Sequence, residues 1–167
     1  MKNDPKFQHI ISLGWLCCPA QEIERIEYRD ASYPFDWLLT HDFSMVIRWL
    51  SENVEFCFTN EEMLQYRNDA SKWYNKRYVI SMFHDFSKYH KMIEQLGAVS
   101  EKYTRRFKRL YKAITEPTLF LRYIKDENEA AYVNKNAFMI EEILKKFNIR
   151  NKIVYIANSD LRQRLGV

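Results

Sequence analysis

Four short apolar runs set the frame into which this chain must fold. Phe7 to Leu13 contains Ile10 and Ile11 and stops at Gly14, and Tyr78 to Phe83 reads Tyr-Val-Ile-Ser-Met-Phe and stops at His84-Asp85. Leu119 to Ile124 follows Pro117, and Lys152 to Ala157 runs into Asn158-Ser159-Asp160. Their length and their β-branched or aromatic content predict strands rather than helices. Helical periodicity fills the spaces between them. Pro19 to Glu27 opens with a proline tolerated in a first helical turn. Phe43 to Leu50 sets Phe43, Val46, Ile47 and Leu50 on one face, and Lys102 to Ile114 and Lys135 to Phe147 carry further apolar stripes. The second half thereby reads helix, strand, helix, strand, the alternation of parallel strands with crossover helices. The expectation is an α/β fold with a short, mostly parallel sheet of about four strands flanked by helices. Asn53 to Lys76 is expected to hold a helical insertion around Glu61 to Tyr66. A length of 167 residues fits one domain, and the short helix near Val167 leaves room for a further strand beyond it.

Composition narrows the class. With 47% hydrophobic and 29% charged residues the chain is globular rather than disordered. Only three glycines and four prolines argue against a sandwich or barrel of many tight turns. Three cysteines, two of them adjacent, make no disulfide framework. Met1 to Pro5 carries no apolar run of the secretory kind, so a reducing, cytoplasmic setting is expected. No stretch reaches the roughly 18–20 apolar residues of a membrane span. The net charge of +4 informs about partners only if it is clustered. Lys102, Arg105, Arg106, Lys108, Arg109 and Lys112 do form such a row, which would attract phosphate. An ordinary solvated helix face accounts for it as well, and nucleic acid is not favoured.

Ligands of an open α/β sheet gather beyond the carboxyl ends of its strands. Those positions here hold Gly14, Cys17 and Cys18, then His84 and Asp85, then Arg122, then Asn158, Ser159 and Asp160. Cys17 falls between a strand-ending glycine and a helix start. Unpaired N–H groups and the helix dipole there favour thiolate and hence a nucleophile. Buried filler is the competing role, and on residue type alone it stands ahead. His84 has the place of a general base, although Asp85 beside it points to the opposite face of an extended chain. Asp36, in Tyr33-Pro34-Phe35-Asp36-Trp37, is either a functional acid or a turn cap, and alone the cap is favoured. His9, His41 and His90 lack partners at metal-ligand spacing, so neither a metal nor a cofactor is implied.

Three segments in order carry a resemblance. Ser12-Leu13-Gly14-Trp15-Leu16-Cys17-Cys18-Pro19-Ala20, Ser32 to Leu38 (Ser-Tyr-Pro-Phe-Asp-Trp-Leu) and Phe83-His84-Asp85-Phe86 resemble a bacterial family of unknown function described as papain-like cysteine peptidases. Tyr103-Thr104-Arg105-Arg106 and Phe120-Leu121-Arg122-Tyr123 extend the match over roughly residues 8–158. The resemblance implies Cys17 as nucleophile and His84 as its base, with Asp36 or Asp85 orienting the imidazole; Cys18 receives no role. It also implies an alternative α+β architecture, in which a helix bearing the cysteine packs on an antiparallel sheet that supplies the histidine.

The function expected is a thiol-dependent hydrolase or acyl-transferase acting on a peptide, amide or thioester. The alternative is a non-catalytic or transferase domain that binds a phosphorylated or nucleotide-linked ligand through Gly14 at the helix N-terminus and Arg122.

Overall fold

The computed structural model describes residues 6–167, so the expectation for Met1 to Pro5 lies outside the described residues. Strand β1 (His9–Ser12) leads through a tight turn into helix α1 (Cys18–Arg25). β2 (Leu38–Thr40) and α2 (Phe43–Glu52) follow, and then a 3₁₀ turn (Asn60–Glu62), β3 (Met63–Tyr66), β4 (Asp69–Asn75) and β5 (Ile80–Met82). The long helix α3 (Met92–Ala113) precedes β6 (Thr118–Tyr123), α4 (Glu127–Lys145), β7 (Lys152–Ile156) and α5 (Ser159–Arg162).

The architecture is α/β, with two sheets. The parallel sheet has three strands in the order β1-β6-β7. His9 pairs with Thr118 and Ser12 with Leu121, while Leu119 pairs with Lys152 and Tyr123 with Ile156. α4 makes the crossover between β6 and β7, as the alternation of the second half predicts. The fourth expected strand, Tyr78 to Phe83, is not part of this sheet. Its core, β5, lies in a second, antiparallel sheet of order β2-β5-β4-β3, with Leu38 opposite Met82 and Trp73 opposite Met82 on the other side. A strand's own sequence does not say whether its neighbour runs parallel, and the chain between β1 and β6 is long enough to build a separate sheet.

The helical insertion expected around Glu61 to Tyr66 is instead the hairpin β3–β4. Arg67 and Asn68 both take left-handed conformations, φ 49° and 58°, the backbone of a two-residue hairpin turn. Here it forms without glycine, and so without its usual sequence signal. α3 begins ten residues before Lys102, at Met92. Gln95 secures the approach to it, accepting from Ser87 N (2.8 Å) and donating to Ser87 O and His90 O (both 3.0 Å).

One continuous cluster of buried apolar side chains runs from Ile11 and Leu13 through Phe35, Leu50 and Phe107 to Ile140 and Leu161. At its centre Phe56 meets the rings of Tyr78, Phe107 and Trp49 at 4.4, 4.7 and 5.0 Å. Arg122 sits between the sheets with no exposed surface. On the β6 burial pattern it is in phase with Thr118 and Phe120. Its guanidinium donates to Glu129 Oε1 (2.6 Å), Leu13 O (2.9 Å), Thr40 Oγ1 and Thr40 O (3.2 Å), and it lies 4.5 Å over the Phe43 ring. Both sheets and α4 are therefore tied to one charge. Among the described residues no helix is long and apolar enough to cross a membrane.

Candidate functional site

The turn after β1 is built around two left-handed residues, Gly14 (φ 82°) and Trp15 (φ 66°). Gly14 N donates to Ser12 Oγ (3.1 Å) and Trp15 N to Thr40 Oγ1 (2.8 Å), which pins the turn onto β2. A Cβ at position 14 would lie 2.8 Å from Thr40 Oγ1 and 3.4 Å from Phe35 O. Gly14→Ala is accordingly expected to destabilise the protein by about 2–4 kcal/mol, from the left-handed backbone and the collision together. Gly97, inside α3, has nothing within 4 Å of such a Cβ, so Gly97→Ala should stabilise by about 0.5–1 kcal/mol. Urea melts of the two variants check the pair; equal effects would mean that the turn tolerates a side chain.

Cys17 stands at the N-cap of α1. Its carbonyl accepts from Gln21 N (3.0 Å), but its side chain makes no capping bond, and no acidic residue occupies the first helical turn. The thiol is therefore not consumed by the helix end it sits on. Cys17 is partly buried, whereas Cys18 and Cys57 are exposed.

The Tyr33–Trp37 segment folds back on itself through Asp36. This buried carboxylate accepts from Tyr33 N (2.9 Å) and from Arg29 (3.1 Å). Burial pushes its pKa up, opposed by the Tyr33 N–H and by the charges of Arg29 and Arg106. Trp37 then lies between Arg29, whose guanidinium is 5.3 Å from the ring, and His84, whose ring meets it edge-on at 5.8 Å. His84 itself is exposed, just past the end of β5. Asp85 turns the other way and accepts from Lys102 Nζ and from the Tyr103 hydroxyl (3.0 Å).

The three motif segments are thus chained together: Gly14 packs on Phe35 and Thr40, and Trp37 packs on His84. The finer pairings expected of the carboxylates do not form. Asp36 bonds to Arg29 and Tyr33 N, Asp85 to Lys102 and Tyr103, and neither bonds to His84. No hydrogen bond joins Cys17 to His84. Arg122 is corrected as a ligand-binding residue, because its guanidinium faces Glu129, Thr40 and Leu13 inside the fold and has no exposed surface.

A second imidazole stands at the same turn. The Trp15 ring meets His41 edge-on at 5.3 Å, and His41 Nε2 is 2.8 Å from Ser81 Oγ. Burial, and then the charge of Lys125, lower the His41 pKa. Lys125 Nζ donates to His41 O (2.7 Å) and borders a cavity of about 390 Å³ with Asp42, Asp126, Glu129 and Tyr132. The sequence gives His41 no partner, since Ser81 lies 40 positions away in a neighbouring strand. Among the described residues no group of three or more His, Cys, Asp or Glu side chains is placed to hold a metal ion.

Compared with known proteins, residues 8–157 match a protein-family model described as "Putative papain-like cysteine peptidase". No curated protein and no solved structure matches.

Proposed function

The chain belongs to that family, and on this premise we propose a thiol-dependent hydrolase or acyl-transferase in which Cys17 is the nucleophile and His84 its general base. The observation that carries the reading is the uncapped Cys17 thiol at the N-terminus of α1, held by the Gly14 turn against the segment whose Trp37 packs on His84. His84 takes the thiol proton and the Cys17 sulfur adds to a substrate carbonyl. The oxyanion forms beside the free N–H groups of the helix end. The imidazolium returns its proton to the leaving group, and water or a second acceptor then releases the acyl group from sulfur. Catalytic hydrogen bonds commonly close only in the substrate complex, so the exposed His84 has an edge contact and no hydrogen bond to overcome.

Asp36 and Asp85 enter this reading as positioning residues. Asp36 fixes Arg29 beneath Trp37, and Asp85 fastens the backbone next to His84 onto α3 through Lys102 and Tyr103. The substrate is a peptide, amide or thioester.

The test is iodoacetamide labelling across pH, read by peptide mass spectrometry so that Cys17, Cys18 and Cys57 are followed separately. Cys17 should alkylate about tenfold faster than Cys57 at pH 7. His84→Ala should remove that advantage. Equal rates for Cys17 and Cys57, or a Cys17 rate indifferent to His84→Ala, would reject the pair.

A further inference from the structure

The cavity of about 390 Å³ bordered by His41 and Lys125 plays no part in the thiol chemistry, since neither Cys17 nor His84 lines it. Two helices begin at its wall. Asp42 caps α2, its Oδ1 accepting from Ser44 N (2.9 Å) and Ser44 Oγ (2.6 Å), and Asp126 caps α4, accepting from Glu129 N (2.9 Å). Glu129, in the first turn of α4, is the third carboxylate of the lining.

The cations nearby are already taken. Arg122 donates to Glu129 Oε1 (2.6 Å), while Lys125 pairs with Asp126 (3.3 Å) and donates to His41 O (2.7 Å). Glu129 Oε2 is left over. The Glu129 side chain is only 4% exposed, and this oxygen is buried without a hydrogen-bond partner. Asp42 bonds only to Ser44 among the described residues, and no cation pairs with it.

A buried carboxylate oxygen without a donor is unfavourable by its desolvation. A cationic N–H relieves that cost through a charge-assisted bond, one of the stronger kinds. Asp42 adds a second acceptor on the same wall. Its charge reaches the neighbouring Tyr132 hydroxyl, whose pKa is pushed up by burial and then by Asp42. Phe43, Val79 and Tyr132 offer apolar surface to the carbon that carries such a group. A bare metal ion fits less well, because among the described residues no three His, Cys, Asp or Glu side chains are placed to hold one.

We propose that this cavity binds a small organic cation through its N–H groups, a primary ammonium or a guanidinium, held by Glu129 and Asp42. The assignment goes beyond the thiol reading and does not depend on it.

The experiment follows the backbone amide resonances of Ser44 and Glu129 by NMR at neutral pH, during separate additions of n-butylammonium chloride and methylguanidinium chloride. Tetramethylammonium chloride, which has the charge but no N–H, and magnesium chloride are titrated at matched ionic strength. A saturable shift with butylammonium or methylguanidinium, absent with the other two salts, is expected, and the tighter of the pair identifies the group. Asp42→Asn keeps the helix cap. Glu129→Gln keeps an oxygen for Arg122 and turns Oε2 into an N–H donor. Each should weaken binding at least about tenfold, the loss of one charge-assisted contact. Glu127→Gln removes a charge from the same turn of α4 outside the cavity and should leave the titration unchanged. If Glu129→Gln does not fold, Asp42→Asn decides. Saturation by neither N–H cation, a response matched by tetramethylammonium or magnesium, an unaltered titration in folded Asp42→Asn, or an equal loss in Glu127→Gln would overturn the assignment.

Discussion

Arg122→Ala is expected to lower the unfolding free energy by about 3–5 kcal/mol, the loss that follows when one partner of a buried ion pair is removed. Glu129 would keep its charge in a side chain only 4% exposed, and the Leu13 and Thr40 acceptors would lose their donor. Total stabilities of roughly 5–15 kcal/mol make this a large fraction of what holds a domain folded. Arg122→Met combined with Glu129→Leu removes both charges while keeping volume. It should recover much of the loss, because a buried pair replaced by well-packed apolar groups is often neutral. Urea unfolding of the single and double variants gives the coupling directly. A single-variant loss below about 1 kcal/mol would show that the guanidinium is not the link between the sheets.

Phe56→Ala should be comparably severe, at about 3–5 kcal/mol, the usual cost of deleting a phenyl ring from a closed core. Phe56 is 1% exposed and lies against five other rings, those of Trp49, Phe58, Tyr78, Tyr103 and Phe107. The cavity left behind borders Tyr103, whose hydroxyl holds Asp85 beside His84. Loss of packing there should loosen the histidine segment as well as the core. Phe56→Leu, which keeps most of the volume, should lose no more than about 1.5 kcal/mol. Denaturant melts and near-ultraviolet circular dichroism check both. An alanine variant as stable as the leucine variant would contradict a closed aromatic core.

The parallel half of this fold is legible in the sequence because its strands obey simple periodicities. Thr118 to Tyr123 alternates strictly between buried and less buried positions, and Arg122 falls on the buried phase. A charged residue in that phase signals an internal partner, and Glu129 supplies it seven residues later, in the first turn of α4. The antiparallel half is much less visible. β2 is only Leu38 to Thr40, too short for any pattern, and the β3–β4 turn relies on Arg67 and Asn68 where glycine would have announced it. At the site, residue type alone leaves Cys17 behind a buried filler and Asp36 behind a turn cap, and it is the ordered motif segments that single out Cys17, Asp36 and His84. The partners of those residues are not singled out in that way. Arg29 under Trp37, Lys102 on Asp85 and Ser81 on His41 are matched only once the second sheet and α3 have been placed.

The pairing of β1 with β6 has a kinetic meaning. His9 and Thr118 are register partners although 109 positions separate them. The entropy of closing so long a loop grows only logarithmically with its length, so the native state is scarcely weakened by it. The rate is another matter, because contacts of such separation must be won before they reward the chain. The β6–α4–β7 unit needs no distant partner to begin forming, whereas β1 must close a far longer loop to pair with β6. Until it docks, one edge of β6 stands open to strands of other molecules. Slow acquisition of the Cys17 turn and concentration-dependent losses on refolding are therefore expected to occur together.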